Sequence, residues 1–232
     1  MSVLALRERN PQSLQKGEKV NRVFRSFLPF VVPCLVLSAC ATGSTLYVPG
    51  DLARPAGAAA PAGPPQAVIS DFSYAAAPDG VIGRDFDRVR PIVWKGAPGK
   101  AMADLLAGAL GERGVSTVRQ GANAAAAVGV PVRISGVVRR FEVNTRRTGV
   151  LKVTTEAIVS VKVTAEGSGL SGPSEETVTS STSLADIFVT PDGLHDALMS
   201  ASDTVAKEAA RKLIASGISP AAPPAPEAGT GK

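Results

Sequence analysis

The chain has 232 residues, a length that suits one or two domains, and a formal net charge of +5 from 25 Lys and Arg against 20 Asp and Glu. Residues 1–39 contain six of these basic and two of these acidic residues, so the remainder is nearly neutral, with 19 basic against 18 acidic. Aromatic residues make up 4% of the chain. A near-neutral domain with few stacking side chains argues against a nucleic-acid-binding protein.

Residues 1–39 have the three-part composition of a secretory signal peptide. Basic residues from Lys16 to Arg25 precede an apolar run, Phe27–Leu37, which is 11 residues long and contains two prolines. A membrane-spanning helix needs about 20 apolar residues, so this run is too short to cross a bilayer. We therefore predict that the segment is removed from the mature protein.

The segment ends in Leu37-Ser38-Ala39-Cys40, which resembles a bacterial lipobox. The resemblance implies attachment of diacylglycerol to the Cys40 sulfur, cleavage before Cys40, and acylation of the new N terminus with a fatty acid such as palmitate. Several acyl chains, at about 0.8 kcal/mol per buried CH₂, anchor a protein stably without a spanning helix. The alternative is an ordinary signal peptide that ends in this string by chance.

The residues around the lipobox bear on compartment and redox state. Ala41 stands where an aspartate would imply inner-membrane retention, so the resemblance favours the outer membrane and its periplasmic face. Cys34, the other cysteine, lies inside the predicted signal peptide. The mature chain is therefore predicted to contain no free thiol and no disulfide.

Composition divides the mature chain into three parts. Residues 40–66 are dominated by Ala, Gly and Pro after the lipidated cysteine and are predicted to form a disordered tether. Residues 218–232 are predicted to be a disordered tail of the same kind. The 67–217 segment is long enough for one compact domain.

The first half of this domain mixes strands with one helix. Ala67–Tyr74 reads as a strand, and Pro91–Lys95 as a second, short strand. Apolar residues at i, i+3, i+4, i+7 and i+8 predict an amphipathic helix over 99–113, which Gly114 ends. Val115–Arg119 reads as another short strand.

The second half predicts a three-strand meander and a closing helix. Val130–Thr145 alternates around an expected bulge at Gly136, Leu151–Ala165 alternates almost perfectly, and Glu175–Leu184 alternates again. Thr190 is the expected N-cap of a helix that ends near Gly217. The predicted fold class is α+β: a two-layer structure with a mainly antiparallel sheet and two helices packed on one face.

Two glycine-containing strings resemble nucleotide-binding motifs only superficially. Gly167–Gly172 matches G-x-G-x-x-G, but a strand follows where a helix should begin, so we interpret it as a hairpin loop. Gly96–Lys100 resembles the end of a phosphate-binding loop, yet Ala101 replaces the hydroxyl residue that would hold Mg²⁺. We interpret it as the start of a helix.

The chain displays no catalytic or metal-binding constellation. His195 is its single histidine and is expected to lie at the surface without companions for a metal site or a triad. Asp85 and Asp87 alternate with arginines and are interpreted as a mixed-charge loop. We expect no cofactor, no metal and no catalytic residue, and hence no enzyme.

One basic cluster is a possible binding site for an anionic partner. Arg139, Arg140, Arg146 and Arg147 lie near the hairpin predicted at Thr148-Gly149. Guanidinium groups could bind the phosphates of lipid headgroups or an acidic protein surface. The alternative is a solvated hairpin tip whose charges favour solubility.

Residues 67–214 resemble the YajG-type family of envelope lipoproteins. The best-matching parts are the helical segment Lys100–Leu106 leading to Gly114, and the strand segment Leu151–Ala157. The family offers no catalytic residues to transfer. The auxiliary lipoproteins of ABC-type lipid transport systems look related, because they share the order of lipidated cysteine, linker and small α/β domain.

Two functions from different classes follow as expectations, with an enzyme as the third and least favoured. The first is a non-enzymatic lipoprotein anchored in the outer membrane, whose domain binds or scaffolds another envelope component, a protein or a phospholipid. The second is the auxiliary subunit of an ABC-type lipid transporter, which requires a stable protein partner and bound phospholipid.

Overall fold

The computed structural model describes residues 44–52, 64–75, 79–86, 90–120, 130–168, 170 and 172–219, all within one compact unit, Ser44–Lys232. The predicted signal peptide and Cys40 lie outside the described residues. Within these ranges the chain forms nine strands and two helices. In chain order they are β1 (Leu46–Pro49), β2 (Ala67–Ser70), β3 (Ser73–Tyr74), β4 (Val81–Arg84), β5 (Pro91–Lys95), α1 (Pro98–Gly111), β6 (Thr117–Gln120), β7 (Val132–Gly149), β8 (Lys152–Gly167), β9 (Ser174–Asp186) and α2 (Pro191–Ala215).

The main sheet and the two helices confirm the predicted α+β fold. The strand order is β6-β2-β7-β8-β9, with β3 also paired to β7. The pairs β7–β8 and β8–β9 are antiparallel, whereas β2 and β3 run parallel to β7. Helix α1 packs on β6 and β7, α2 packs on β8 and β9, and the helices contact each other. One face of the sheet therefore carries the core.

A second, smaller sheet has the order β1-β5-β4 and departs from the single-sheet expectation. Its strand β1 lies inside the segment predicted to be a tether, and Val48 is completely buried. The error arose because four strand-forming residues are outweighed by the Ala, Gly and Pro around them when composition is averaged over 40–66. The described chain is therefore ordered from Ser44 to Leu52.

The first predicted strand of the domain is divided in two. Strands β2 and β3 are separated by Asp71 and Phe72, and both pair with β7 in parallel. Phe72 turns inward, where it is 5% exposed, and its ring packs against Gly136. A Cβ at Gly136 would lie 2.9 Å from that ring, so this glycine makes room for Phe72.

The meander confirms the alternation and corrects two details. The inward residues of β8 from Val153 to Ala165 are buried, as predicted. Leu151 is 74% exposed because it lies in the turn before β8. The bulge in β7 lies between Val138 and Arg140 rather than at Gly136, so Val138 faces the core instead of Val137.

Both helices begin and end close to the predicted residues. Helix α1 begins at Pro98, and Gly114 beyond its end has a φ of +81°. The Thr190 hydroxyl caps α2 by accepting the Gly193 N–H at 3.1 Å. Ile218, predicted to begin the tail, is 2% exposed, while residues 220–232 lie outside the described part. No described helix has the length and apolar character needed to cross a membrane.

Candidate functional site: a basic groove beside strand β4

A groove of about 900 Å³ lies where β4 approaches the C-terminal half of β7. Val81–Phe86 form one wall, and Glu142 and Asn144–Arg147 form the other. The groove thus combines exposed backbone and apolar surface from β4 with polar and basic side chains from β7. We call it the β4 groove.

Side chains of β7 hold β4 in place. The Asn144 side-chain oxygen accepts a hydrogen bond from the Arg84 N–H at 3.0 Å, and the Thr145 hydroxyl accepts one from the Phe86 N–H at 2.7 Å. Gly83 lies so close to β7 that a Cβ there would be 1.6 Å from the Val143 carbonyl oxygen. The β4 wall of the groove therefore depends on Gly83 and on the side chains of Asn144 and Thr145. These two β7 residues come about 60 positions later in the chain than the β4 residues that they bind.

Asp85 stabilises the turn at the end of β4. Its carboxylate is 4% exposed and accepts hydrogen bonds from the Arg90 backbone N–H at 2.9 Å and from Arg90 Nε at 2.6 Å. The structure adds to the interpretation of this segment as a mixed-charge loop that the Asp85 carboxylate is buried and paired with Arg90. Asp87 lies outside the described residues.

Arg146 and Arg147 supply exposed positive charge at the β4 groove. The Arg147 guanidinium lies 5.1 Å from the centre of the Phe86 ring, in a cation–π contact. Among the described residues, neither Arg146 nor Arg147 has a carboxylate within ion-pair distance. Two exposed guanidinium groups on a concave surface can bind a phosphate or carboxylate in bidentate geometry.

The predicted cluster of four arginines is divided by the structure. Arg139 and Arg140 lie at the β7 bulge, at least six residues from Arg146, which corresponds to about 20 Å along a strand. Arg140 is also engaged, because its guanidinium pairs with Glu142 at 2.8 Å. Only Arg146 and Arg147 line the β4 groove.

Tyr74 lies beside Phe141 and within the electrostatic influence of Glu142, a residue of the groove wall, and it is unsuited to act as a base. Its ring packs edge-on against Phe141, with 6.3 Å between ring centres. Burial, and then the negative charge of Glu142, raise the pKa of the Tyr74 hydroxyl above its ordinary value. The phenol therefore remains protonated at neutral pH.

His195 is a structural residue rather than the solvated histidine predicted. Its ring stacks on Trp94, with 6.5 Å between ring centres and 7° between planes, and its Nε2–H donates to the Asp51 carbonyl oxygen at 2.7 Å. The error arose because β1, which covers this turn of α2, was not predicted. Within the described ranges, no three His, Cys, Asp or Glu side chains are grouped as a metal site would require.

The two motif-like strings have the structural roles expected of them. Helix α1 begins at Pro98 within Gly96–Lys100, and the Lys100 ammonium pairs with Asp104 at 3.1 Å. The string Gly167–Gly172 lies between the antiparallel strands β8 and β9, and its residues 169 and 171 are outside the described residues. Neither string is placed in a nucleotide-binding βαβ unit.

Comparisons with known proteins give structural similarities only. No family model matches the chain, and no curated protein matches it. Protein XCC0632 of Xanthomonas campestris, described as DUF330, is 14% identical, with a TM-score of 0.48 over 75% of this chain and 94% of its own. A minor lipoprotein of Acinetobacter baumannii is 12% identical, with a TM-score of 0.37 over 65% of this chain and 93% of its own.

A further similar structure, named as a candidate lipoprotein of Caulobacter crescentus, is 18% identical, with a TM-score of 0.32 over 62% of this chain and 84% of its own. The solved structures similar to this chain thus include proteins named as lipoproteins. With TM-scores below 0.5, these similarities assign neither a family nor a function to the chain.

Proposed function

We propose that this protein is a non-enzymatic lipoprotein of the cell envelope, lipidated at Cys40 and anchored in the outer membrane on the periplasmic side. Its domain binds an anionic group of another envelope component through the β4 groove. The lipobox string Leu37–Cys40 at the end of a signal-peptide pattern carries this proposal.

The position of the folded domain fits a lipid anchor. The first described strand begins at Leu46, only six residues after Cys40. Acyl chains on Cys40 would supply the membrane affinity. The anchor would therefore hold the domain close to the bilayer.

The anchor is tested by replacing Cys40 with Ser and separating membrane from soluble periplasmic protein. We expect Cys40→Ser to move the protein from the membrane fraction to the soluble periplasmic fraction, because the thioether-linked lipid cannot form. Cys34→Ser is the matched control and should leave the protein in the membrane. Membrane association of the Cys40→Ser protein equal to that of the unchanged protein would contradict the proposal.

The β4 groove supports the binding role because its basic groups are accessible. Arg146 and Arg147 are both exposed, and the Phe86 ring fixes one side of the Arg147 guanidinium. Bidentate binding to phosphate or carboxylate gives both charge attraction and orientation. Lipid phosphate and an acidic protein surface share this chemistry.

Crosslinking in intact cells tests this role and distinguishes the two sources. The protein is recovered through a C-terminal tag, and the bound proteins and lipids are identified by mass spectrometry. We expect Arg146→Gln with Arg147→Gln to reduce the recovered partner several-fold, and Arg133→Gln with Arg139→Gln to have little effect. Unchanged recovery with the Arg146 and Arg147 substitutions would contradict the binding role of the groove.

The same experiment addresses the second function. Transporter subunits recovered together with phospholipid would identify an auxiliary subunit of an ABC-type lipid transport system. Recovery of outer-membrane components alone, or of further copies of this chain, would support the scaffold role instead. The exposed arginines at the groove suit a phospholipid headgroup or an acidic protein equally.

The absence of an enzymatic role remains part of the proposal. Its support is that the polar groups near the groove have structural partners: Asp85 binds Arg90, and Glu142 binds Arg140. His195 donates to a backbone carbonyl and stacks on Trp94. These groups stabilise the fold and are not arranged as a nucleophile with its base.

A further inference from the structure

Four large apolar side chains are exposed at one end of the molecule. Val150 and Leu151 in the β7–β8 turn are 92% and 74% exposed, and Ile187 and Phe188 between β9 and α2 are 55% and 74% exposed. Folding leaves these groups in water, although a protein buries such side chains where it can. We call these four residues the apolar tip.

Strand register brings the two pairs together. Gly149 pairs with Lys152 to close the hairpin, and Val153 pairs with Asp186 at the end of β9. Each exposed residue is at most three positions from one of these pairs. With about 3.3 Å per residue and about 4.8 Å between strands, the four Cα atoms lie within roughly 15 Å of one another.

The chain enters the domain at this same end. The first residue of β1, Leu46, pairs with Ile92 on β5, and the neighbouring Pro91 pairs with Arg84, the last residue of β4. The Arg84 N–H in turn bonds the Asn144 side chain near the end of β7. The start of β1 and the ends of β4 and β7 therefore lie on one side of the molecule.

The residues that follow β4, and the last residues of β7, continue toward the tip. Phe86 bonds Thr145 and lies beneath Arg147, two residues before Gly149. Because β1 runs away from this end, its first residue, Leu46, is the β1 residue nearest to the tip. Ser44 and the start of β1 therefore lie on the side of the domain that faces the apolar tip.

The connection from Cys40 to the first described residue of the domain is short. Ser44 follows Cys40 by four residues, which span at most about 14 Å when fully extended. A lipid on Cys40 would therefore keep the start of β1 near the bilayer, on the side of the domain that faces the tip. With the proposed anchor in place, the bilayer is the expected partner of the exposed apolar tip.

Charges around the tip suit a phospholipid surface. Arg146, Arg147 and Lys152 are exposed on the hairpin and have no ion pair in the described part of the chain. On the opposite side, Asp186 accepts the Ile187 N–H at 2.6 Å and Asp192 occupies the first turn of α2. Basic groups predominate on the hairpin, where long cationic side chains can reach lipid phosphates while apolar neighbours enter the interface.

We infer that the apolar tip is the surface by which this domain contacts the bilayer, with Val150, Leu151, Ile187 and Phe188 entering the headgroup region. This inference rests on the proposed lipid anchor at Cys40 and adds an orientation to it. The β4 groove, which lies beside Arg146 and Arg147, then faces the lipid headgroups.

The lipidated protein tests this orientation when a fluorescent probe reports the local environment. A cysteine at Val150 (Val150→Cys) is labelled with an environment-sensitive fluorophore, and the protein is reconstituted in vesicles of phosphatidylethanolamine and phosphatidylglycerol. Ser181→Cys, on an exposed position of β9 away from the tip, is the matched control. We expect a blue shift and quenching by nitroxide lipids at position 150 and an aqueous spectrum at position 181.

A second variant tests the residues themselves. Leu151→Ser with Phe188→Ser changes only exposed side chains, so the fold should be unaffected. We expect it to reduce nitroxide quenching of the probe at position 150 several-fold, whereas Val118→Ser, also exposed and located on β6, should leave the quenching unchanged. Quenching that persists in the Leu151 and Phe188 variant would overturn the role of these side chains.

The mass of the N-terminal peptide separates this inference from the anchor. A lipidated protein with an aqueous probe at position 150, or with equal quenching at positions 150 and 181, overturns the inference and leaves the anchor intact. A protein without lipid on Cys40 overturns both, because the short connection to the bilayer is then absent. A lipidated protein with quenching confined to position 150 is the expected result.

Discussion

At the scale of single residues, the polar side chains that the fold buries are the hardest to recognise in the sequence. Asp85 stands between Arg84 and Phe86 in a segment without apolar periodicity, so nothing local indicates that it is 4% exposed. Its partner Arg90 lies five residues away across a turn. The pairing becomes evident only when β4 and β5 are placed side by side.

Replacing Asp85 with Ala should destabilise the fold. The substitution removes the acceptor of two hydrogen bonds from Arg90, one of whose donors is a backbone N–H. Because Arg90 is partly exposed and can regain water, we expect a loss of about 2 kcal/mol in the free energy of unfolding. Denaturant unfolding measures this loss.

The matched control for Asp85 is Asp196→Ala. Asp196 is 73% exposed on α2, so its removal should change the free energy of unfolding by less than about 0.5 kcal/mol. Equal stability of the Asp85→Ala and Asp196→Ala proteins would show that the buried pair does not stabilise the turn.

At the scale of secondary structure, the long alternating segments and the short strands β5 and β6 were predictable, whereas the short strands β1 and β4 were not. The period of β8 is repeated over 16 residues, and the hairpin with β7 follows from it. Strands β1 and β4 have four residues each, among Gly and Pro. Both are recognised through their pairing with β5, to which β1 comes from a distant part of the chain and β4 from across the turn at Asp85–Arg90.

Helix α1 offers two glycines with opposite expected effects. A Cβ at Gly99 would lie 1.9 Å from the Phe72 carbonyl oxygen, whereas a Cβ at Gly111 would meet nothing within 4 Å. We expect Gly99→Ala to destabilise by about 1–3 kcal/mol, because the helix must move away from the sheet. Gly111→Ala should instead stabilise by up to about 1 kcal/mol, because alanine favours helix.

Denaturant unfolding of the two alanine variants checks this contrast. Helix propensity alone would make both substitutions stabilising, so a stabilised Gly99→Ala protein would show that α1 does not contact the β2–β3 junction this closely. The two proteins differ by one methyl group at either end of the same helix, and each serves as the control for the other.

Asp104 joins α1 to β6 through a pH-dependent contact. Its carboxylate binds Arg119 Nε at 2.7 Å and Lys100 Nζ at 3.1 Å. Burial alone would raise the pKa of Asp104, but the hydrogen bonds from Arg119 and Lys100 outweigh it and hold the pKa below its ordinary value. The contact therefore stabilises the fold above about pH 4 and is lost as the pH falls through the lowered pKa.

Asp104→Asn should reduce stability at neutral pH and have little effect in acid. Because the pair is partly exposed, we expect a loss of up to about 1 kcal/mol at pH 7, which should shrink as the pH falls through the lowered pKa of Asp104. Unfolding measured across this range checks the trend, with Asp196→Asn as the control. A loss that stays constant with pH would contradict the ionic origin of the contact.

At the scale of the whole molecule, the layer arrangement was predictable because it follows from apolar faces alone. Two amphipathic helices and a one-sided sheet have few ways to bury their apolar surfaces together. The β4 groove was not predictable, because its walls meet through contacts such as that of Thr145 with Phe86, 59 residues apart. The four-arginine cluster was divided for a related reason, since strand length separates residues that are close in the sequence.

At the scale of the whole molecule, the apolar tip and the β4 groove lie toward the hairpin end of the described domain, and the proposed lipid on Cys40 would bring that domain to the bilayer. The proposed membrane role of each of these features depends on the lipid anchor at Cys40. With the lipid in place, the exposed side chains of the apolar tip and the exposed Arg146 and Arg147 would face one common surface, the bilayer. Whether Cys40 carries a lipid therefore decides both proposals.

The most direct test is mass spectrometry of the N-terminal peptide of the protein purified from its native membrane through a C-terminal tag. We expect a peptide that begins at Cys40 and carries diacylglycerol on sulfur and an acyl chain on the amino group. A peptide with an unmodified Cys40 thiol, or a mature N terminus at any other residue, would contradict this expectation.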